Sequence, residues 1–173
     1  MDQIRAKGGQ EREIFDQISA SLAAQYDTLY YVNIEDGTYS EISSTDEYKR
    51  LNVPATGKDF FAESRRSIRK YVHPEDQEMA LGLHYKDVML ENLKGRDSFS
   101  RAWRLVVDGR VRYIRHTEIM ARDRMHIIVC IRNIDAEMQA QLAMKEDRKM
   151  NVTYTQIAES LASQYDQIYY IDC

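Results

Sequence analysis

The residues with the chemistry for a buried polar site are Arg104, His116 and Glu118, and each sits inside a run that alternates as a strand does. Successive side chains of a strand point to opposite sides. Ser100, Ala102, Arg104 and Val106 therefore share one side of the first run, and Arg101, Trp103, Leu105 and Val107 the other. In the next run Ile114, His116, Glu118 and Met120 oppose Tyr113, Arg115 and Thr117. In the last, Ile127, Val129 and Ile131 oppose His126, Ile128 and Cys130. Neither side is cleanly polar, so both faces of the sheet are expected to be covered. An ionised group there needs a partner or a ligand, because desolvation is costly. No Gly-rich phosphate loop, HExxH or GxSxG string occurs, and the chain is not read as an enzyme. Cys130 within an apolar run and Cys173 at the end form neither a disulfide framework nor the CxxC spacing of a zinc site. A reducing, cytoplasmic compartment and no metal centre are the expectation.

The elements that must position these residues follow from periodicity. With 173 residues, 43% hydrophobic and 30% charged, the chain is expected to be one domain plus appendages. Its 24 Lys and Arg against 28 Asp and Glu argue against a dedicated nucleic-acid binder. The basic run Arg65, Arg66, Arg69 and Lys70 is read as a solvated face. No membrane segment and no targeting signal are expected. Residues 11–25 carry Phe15, Ile18 and Leu22 at helical spacing. Residues 29–34 and 38–42 alternate around Asp36-Gly37 and predict a hairpin. Ser44 or Thr45 can cap a short helix to Leu51, a longer helix is predicted over 58–72, and Pro74 starts another that Lys94-Gly95 ends. Residues 98–107, 110–121 and 125–133 predict a meander of three strands. From Asp135 to Ala162 a helix follows, with Met150, Tyr154, Ile157 and Leu161 at 4-3-4 steps, read as a coiled-coil linker. The fold class is α+β: a five-stranded antiparallel sheet with helices on one face, flanked by N- and C-terminal amphipathic helices.

Laid on itself with an offset of 139 residues, the chain repeats: Phe15 to Ile34 and Tyr154 to Cys173 share ten identities in twenty positions, including Gln-Tyr-Asp-x-x-Tyr-Tyr. An offset of that size is that of a domain. The expected organisation is a flanking helix over 1–26, a domain over 27–135, a helical linker over 136–163 and the start of a truncated second repeat over 164–173.

At this point the sequence resembles the PAS sensor family. His73-Pro74-Glu75-Asp76 looks like the family's HPDD helix start. Trp103-Arg104-Leu105 followed by Asp108-Gly109-x-x-Arg112-Tyr113-Ile114 looks like its strand-turn-strand motif, and Arg132-Asn133-Ile134-Asp135 looks like its closing DIT motif. The resemblance spans about residues 27–135 and implies the same strand-strand, helices, three-strand order around a small-molecule pocket. Asn133 stands where the family has Asp, so Asn133 or Asp135 is the implied relay residue. The family register implies a pocket side of Arg104, Ile114, His116, Glu118, Ile127, Val129 and Ile131, faced by Phe60, Phe61, Ile68, Tyr71 and Leu83. On this reading Arg104 and His116 hold an acidic or polar ligand; in the alternative, Arg104 pairs with Glu118 across the sheet and side chains fill the cavity. The cofactor is left open. The helices between Thr45 and Leu93 contain no Cys for a flavin adduct, and haem ligation is the weaker reading of His84. The resemblance implies a sensory, dimerising module of a tandem-PAS bacterial signalling protein, a homodimer through its flanking helices. It would signal to a diguanylate cyclase or histidine kinase elsewhere in the parent protein. The alternative is a ligand-free structural module that only dimerises.

Overall fold

The computed structural model describes residues 24–169 together with 17, 20 and 21, so most of the helix predicted over 11–25, and residues 170–173, lie outside the described residues. β1 (Thr28–Asn33) and β2 (Tyr39–Ser44) form the first hairpin. The Asp36 carboxylate closes its turn by accepting from both the amide and the hydroxyl of Thr38. Thr45 caps α1 (Asp46–Lys49), accepting from the Tyr48 amide. β3 (Thr56–Gly57) pairs with Tyr39 and Ser40 at the edge of the sheet. Gly57 is required there, because a Cβ would lie 2.5 Å from the Tyr39 ring. The sheet therefore has six strands rather than the five expected. Two residues between Pro54 and the Asp59 cap are too short a run to show an alternation.

Asp59 caps α2 (Phe60–Tyr71). His73 caps α3 (Pro74–Leu83), its imidazole accepting from the Glu75 amide, with Pro74 and two acidic residues in the first turn. The single helix expected from Pro74 to Leu93 is two. It breaks at His84 and Tyr85, and the extended backbone of Tyr85 precedes α4 (Lys86–Asn92). At the break the His84 imidazole turns inward and its Nδ1 donates to the Ala80 carbonyl.

β4 (Ser98–Val107), β5 (Arg110–Met120) and β6 (His126–Asn133) complete the sheet in the order β3-β2-β1-β6-β5-β4. Asp108 and Gly109 both have positive φ (50° and 72°), the backbone of a two-residue hairpin whose twist matches its strands. One core cluster gathers Tyr30, Val32, Tyr39, Phe60, Phe61, Met89, Leu93, Ile127 and Val129; a second gathers Ile68, Val72, Ala80, Trp103 and Ile114.

Residues up to Ile134 form one compact unit, and the rest forms a second. The second unit holds α5 (Asp135–Tyr169), 35 residues and so about 50 Å long. It presents Leu142, Met144, Met150, Tyr154, Ile157 and Leu161 as exposed apolar side chains. Helix continues over residues 165–169, which the repeat alignment matches to the approach to β1 and its first half. In the first copy those residue types enter a strand held between β2 and β6. In α5 they extend a helical run instead. No helix among the described residues is long and apolar enough to cross a membrane.

Candidate functional site

The two-residue turn at Asp108-Gly109 fixes what β4 presents. Val107 pairs with Arg110, so Trp103 lies opposite Ile114, Arg101 opposite His116 and Phe99 opposite Glu118. Across the next pair His116 faces Ile131 and Glu118 faces Val129, and Tyr30 of β1 faces Val129 from the other side. Directly opposed residues of antiparallel strands share a face. That face carries Trp103, Ile114, His116, Glu118, Ile131, Val129 and Tyr30. Ile68 and Tyr71 of α2 and His84 after α3 stand against it across a cavity of about 70 Å³. Its walls are aromatic, with Tyr39 packed edge-on to both Tyr30 and Phe60. Glu63, Ser64 and Ser67 supply its polar margin.

His116 is 3% exposed and stacks on Trp103 with ring centres 5.0 Å apart; its ring centre is 4.6 Å from that of His84. Burial pushes His84 down to about 4, against the opposing pull of its bond to Ala80 and helped by the nearby Arg65 charge. Burial likewise holds His116 well below the ordinary histidine range, with His84 adding to the effect. Glu118 is fully buried, and burial pushes its carboxyl up to about 8. Its carboxyl oxygens and His116 Nε2 have no hydrogen-bond partner among the described residues, and Glu118 Oε1 lies 3.7 Å from His116 Nδ1. Burial disfavours the charged form of both imidazoles and of the acid behind them. The chemistry of the cluster is that of hydrogen bonding, since a charge there is costly.

Of the residues expected at a pocket, Ile114, His116, Val129, Ile131 and Tyr71 border the cavity. Glu118 shares their face behind His116. Phe61 and Ile127 lie in the first core cluster and Leu83 packs on the second. Arg104 is a correction. It pairs with Tyr113, one residue out of register with Ile114, and so belongs to the opposite side. There its guanidinium binds the Asp76 carboxylate at 2.7 and 2.9 Å and Glu75 at 2.8 Å, while its carbonyl accepts from the His73 amide. The HPED helix start and the Trp-Arg-Leu strand thus meet in one ion-pair cluster outside the cavity. A pair between Arg104 and Glu118 does not form.

Sequence reasoning left Trp103, Tyr30 and Tyr39 out of the pocket, and considered His84 only as the weaker haem-ligand reading of a residue that here is hydrogen-bonded to Ala80. The two-residue hairpin could have placed Trp103 opposite Ile114. Nothing in the spacing marks the helix break that turns His84 inward. The basic run is dispersed: Arg66 pairs with Glu63 at 2.7 Å, Arg65 donates to the His84 carbonyl and Lys70 lies over the Tyr71 ring. At the end of β6 the Asn133 amide donates to the Asp27 carboxylate, which burial holds above the usual carboxylate range. Burial also pushes the Cys130 thiol up to about 11, a poor nucleophile at neutral pH. Among the described residues no group of three or more His, Cys, Asp or Glu is placed to hold a metal ion.

Two strands, a set of helices and a three-strand meander in one antiparallel sheet is the order that the sequence resemblance implied, and the structure adds that β1 lies beside β6. The fold is PAS-like. Neither a family model nor a curated protein matches the chain. Among solved structures the chain is similar to the PAS domain of Bordetella pertussis BvgS, with 16% identity over 81% of this chain and 98% of that one and a TM-score of 0.44. It is also similar to an RNA-binding light-oxygen-voltage receptor, with 13% identity over 74% of this chain and a TM-score of 0.45. The chain spans 33% of that receptor's length. In this PAS-like frame the cavity lies between the sheet and the inserted helices, and β6 leads from its wall directly to α5.

Proposed function

We propose that the chain is a sensory, dimerising PAS module of a multidomain bacterial signal-transduction protein. A small molecule occupies the cavity, and its presence is relayed along β6, through Asn133 and Asp135, into the C-terminal helix. The helix carries it to an output domain, a diguanylate cyclase or a histidine kinase. The module is residues 27–135, the linker 136–163, and residues 164–173 open a second repeat. The observation that carries this reading is His116. A buried imidazole nitrogen without a partner, at the wall of a cavity, costs free energy unless something hydrogen-bonds to it. The route is short: Val129 and Ile131 of β6 border the cavity and Asn133 ends the same strand. The homodimer rests on Met150, Tyr154, Ile157 and Leu161, each 49 to 65% exposed along one helix.

A second reading, a ligand-free module that only dimerises, is favoured by the modest cavity of about 70 Å³. Native mass spectrometry of the chain as purified separates the two. A dimer with extra mass that is lost in His116→Phe supports the sensor. A ligand-free dimer across several preparations favours the structural module, and a monomer overturns the role given to the helices.

A further inference from the structure

The walls of the cavity constrain the chemical class of its ligand, an inference that rests on reading it as a ligand site. The first constraint is size. A cavity of about 70 Å³ is on the order of half the roughly 150 Å³ that encloses benzene in an engineered apolar site. Even a single small ring therefore requires the walls to give a little, and nothing larger fits. The second is shape. Tyr30, Tyr39 and Phe60 lie with ring centres 5.4 to 5.8 Å apart at one end, and Trp103 stacked on His116 forms the other. Rings set edge-on and tilted to one another offer both faces and edges, which suit a small aromatic guest that can stack on one and pack against the other.

The third constraint is charge. An anion moved into this cavity loses its hydration and needs a cation to replace it. Among the described residues no Lys or Arg lines the cavity; Arg101, opposite His116, is exposed and outside the lining, and other nearby cations are engaged. Arg104 binds Glu75 and Asp76, Arg65 donates to the His84 carbonyl and lies over Tyr85, Arg66 binds Glu63, and Arg112 binds Glu47. The histidines do not substitute for them, since burial keeps both neutral at pH 7. Three polar groups of the lining are buried without a partner among the described residues: the hydroxyls of Tyr30 and Tyr39 at one end and, beside Trp103 at the other, His116 Nε2, on a residue only 3% exposed.

We propose that this cavity takes a small, flat, uncharged molecule with one hydrogen-bonding edge seated against His116 Nε2, and that it rejects carboxylates. Arg104, the residue that would have held an acid, lies outside the cavity.

Trp103 is the only tryptophan in the chain and stacks on His116, so its emission reports the site directly. The experiment titrates the full chain at pH 7 with three probes: pyrazole, a neutral ring that both donates and accepts; thiophene, a somewhat larger five-membered ring without a hydrogen-bonding edge; and propionate, an anion. Pyrazole is expected to bind about five- to tenfold more tightly than thiophene, the worth of one buried hydrogen bond, with propionate weaker than either. In His116→Phe the difference between the two rings should vanish. Should that variant fail to fold, the ordering of the three probes on the unaltered chain still decides. Equal binding of pyrazole and thiophene overturns the role of His116. Propionate binding as tightly as pyrazole overturns the neutral class while leaving the cavity a ligand site. No response of Trp103 to any probe, on folded protein, overturns the cavity as a ligand site altogether.

Discussion

Replacing Glu118 with Gln should remove a loss of stability that the chain suffers above neutral pH. The Glu118 carboxyl is raised by burial from 4.5 to about 8. Below pH 4.5 it is protonated whether the chain is folded or not, and it has no effect. Between 4.5 and about 8 the unfolded chain releases the proton and the folded chain keeps it. Stability therefore falls by about 1.4 kcal/mol per pH unit, and levels off above the folded value. His84 works in the opposite sense. Its folded value of about 4 lies below the ordinary 6.5, so its contribution is complete above pH 6.5 and is lost as the pH falls towards 4. His116 acts in the same direction as His84. The slopes oppose each other below 6.5, and between 6.5 and 8 that of Glu118 dominates, since the raised Cys130 thiol acts only above about pH 9. From pH 6.5 to 8 the unaltered chain should lose about 2 kcal/mol. The amide introduced by Glu118→Gln keeps the size and neutrality of the protonated acid and has nothing to ionise. Urea unfolding at half-unit steps across this window, with a common m-value, measures the difference. The variant should stay level to within about 0.5 kcal/mol. Parallel slopes for the two proteins would refute the reasoning, because the acid would then titrate normally in the fold.

Arg104→Ala breaks the ion-pair cluster with Glu75 and Asp76, so it should lower the urea midpoint while leaving the pyrazole affinity measured by Trp103 unchanged. Gly57→Ala places a Cβ 2.5 Å from the Tyr39 ring; overpacking of this kind costs about 1–3 kcal/mol and should appear in calorimetry as a lower Tm. Asp27→Ala removes the carboxylate that accepts from the Asn133 amide. It should destabilise the fold by about 1–3 kcal/mol and raise hydrogen exchange at the end of β6.

Much of this fold was legible because its signals are local. Asp36-Gly37 and Asp108-Gly109 mark the turns, Thr45 and Pro74 mark helix starts, and the alternation through residues 110–120 and 126–133 separates the two sides of the sheet. The alternation put Ile114, His116 and Glu118 on one face, and the register confirms it. The errors arose where a long-range pairing decides. Strand β3 is two residues long and exists only because β2 lies beside it. Arg104 was carried to the pocket side by family register, although a two-residue turn sets Trp103, not Arg104, opposite Ile114. Its true partners, Glu75 and Asp76, are 29 and 28 residues away, and no periodicity connects them. His84 reaches the cavity through a break between α3 and α4 that the unbroken helical pattern hides.

A sensor of this design requires that occupancy of the cavity be felt at the exit of β6. Two-dimensional NMR of the ¹⁵N-labelled chain, without ligand and saturated with pyrazole, tests it in one titration. The predicted result is a shift of the His116 imidazole and Trp103 indole resonances together with the Asn133 amide, all titrating with one dissociation constant. Saturable shifts at Trp103 with an unmoved Asn133 amide, or no shift at His116, would contradict it.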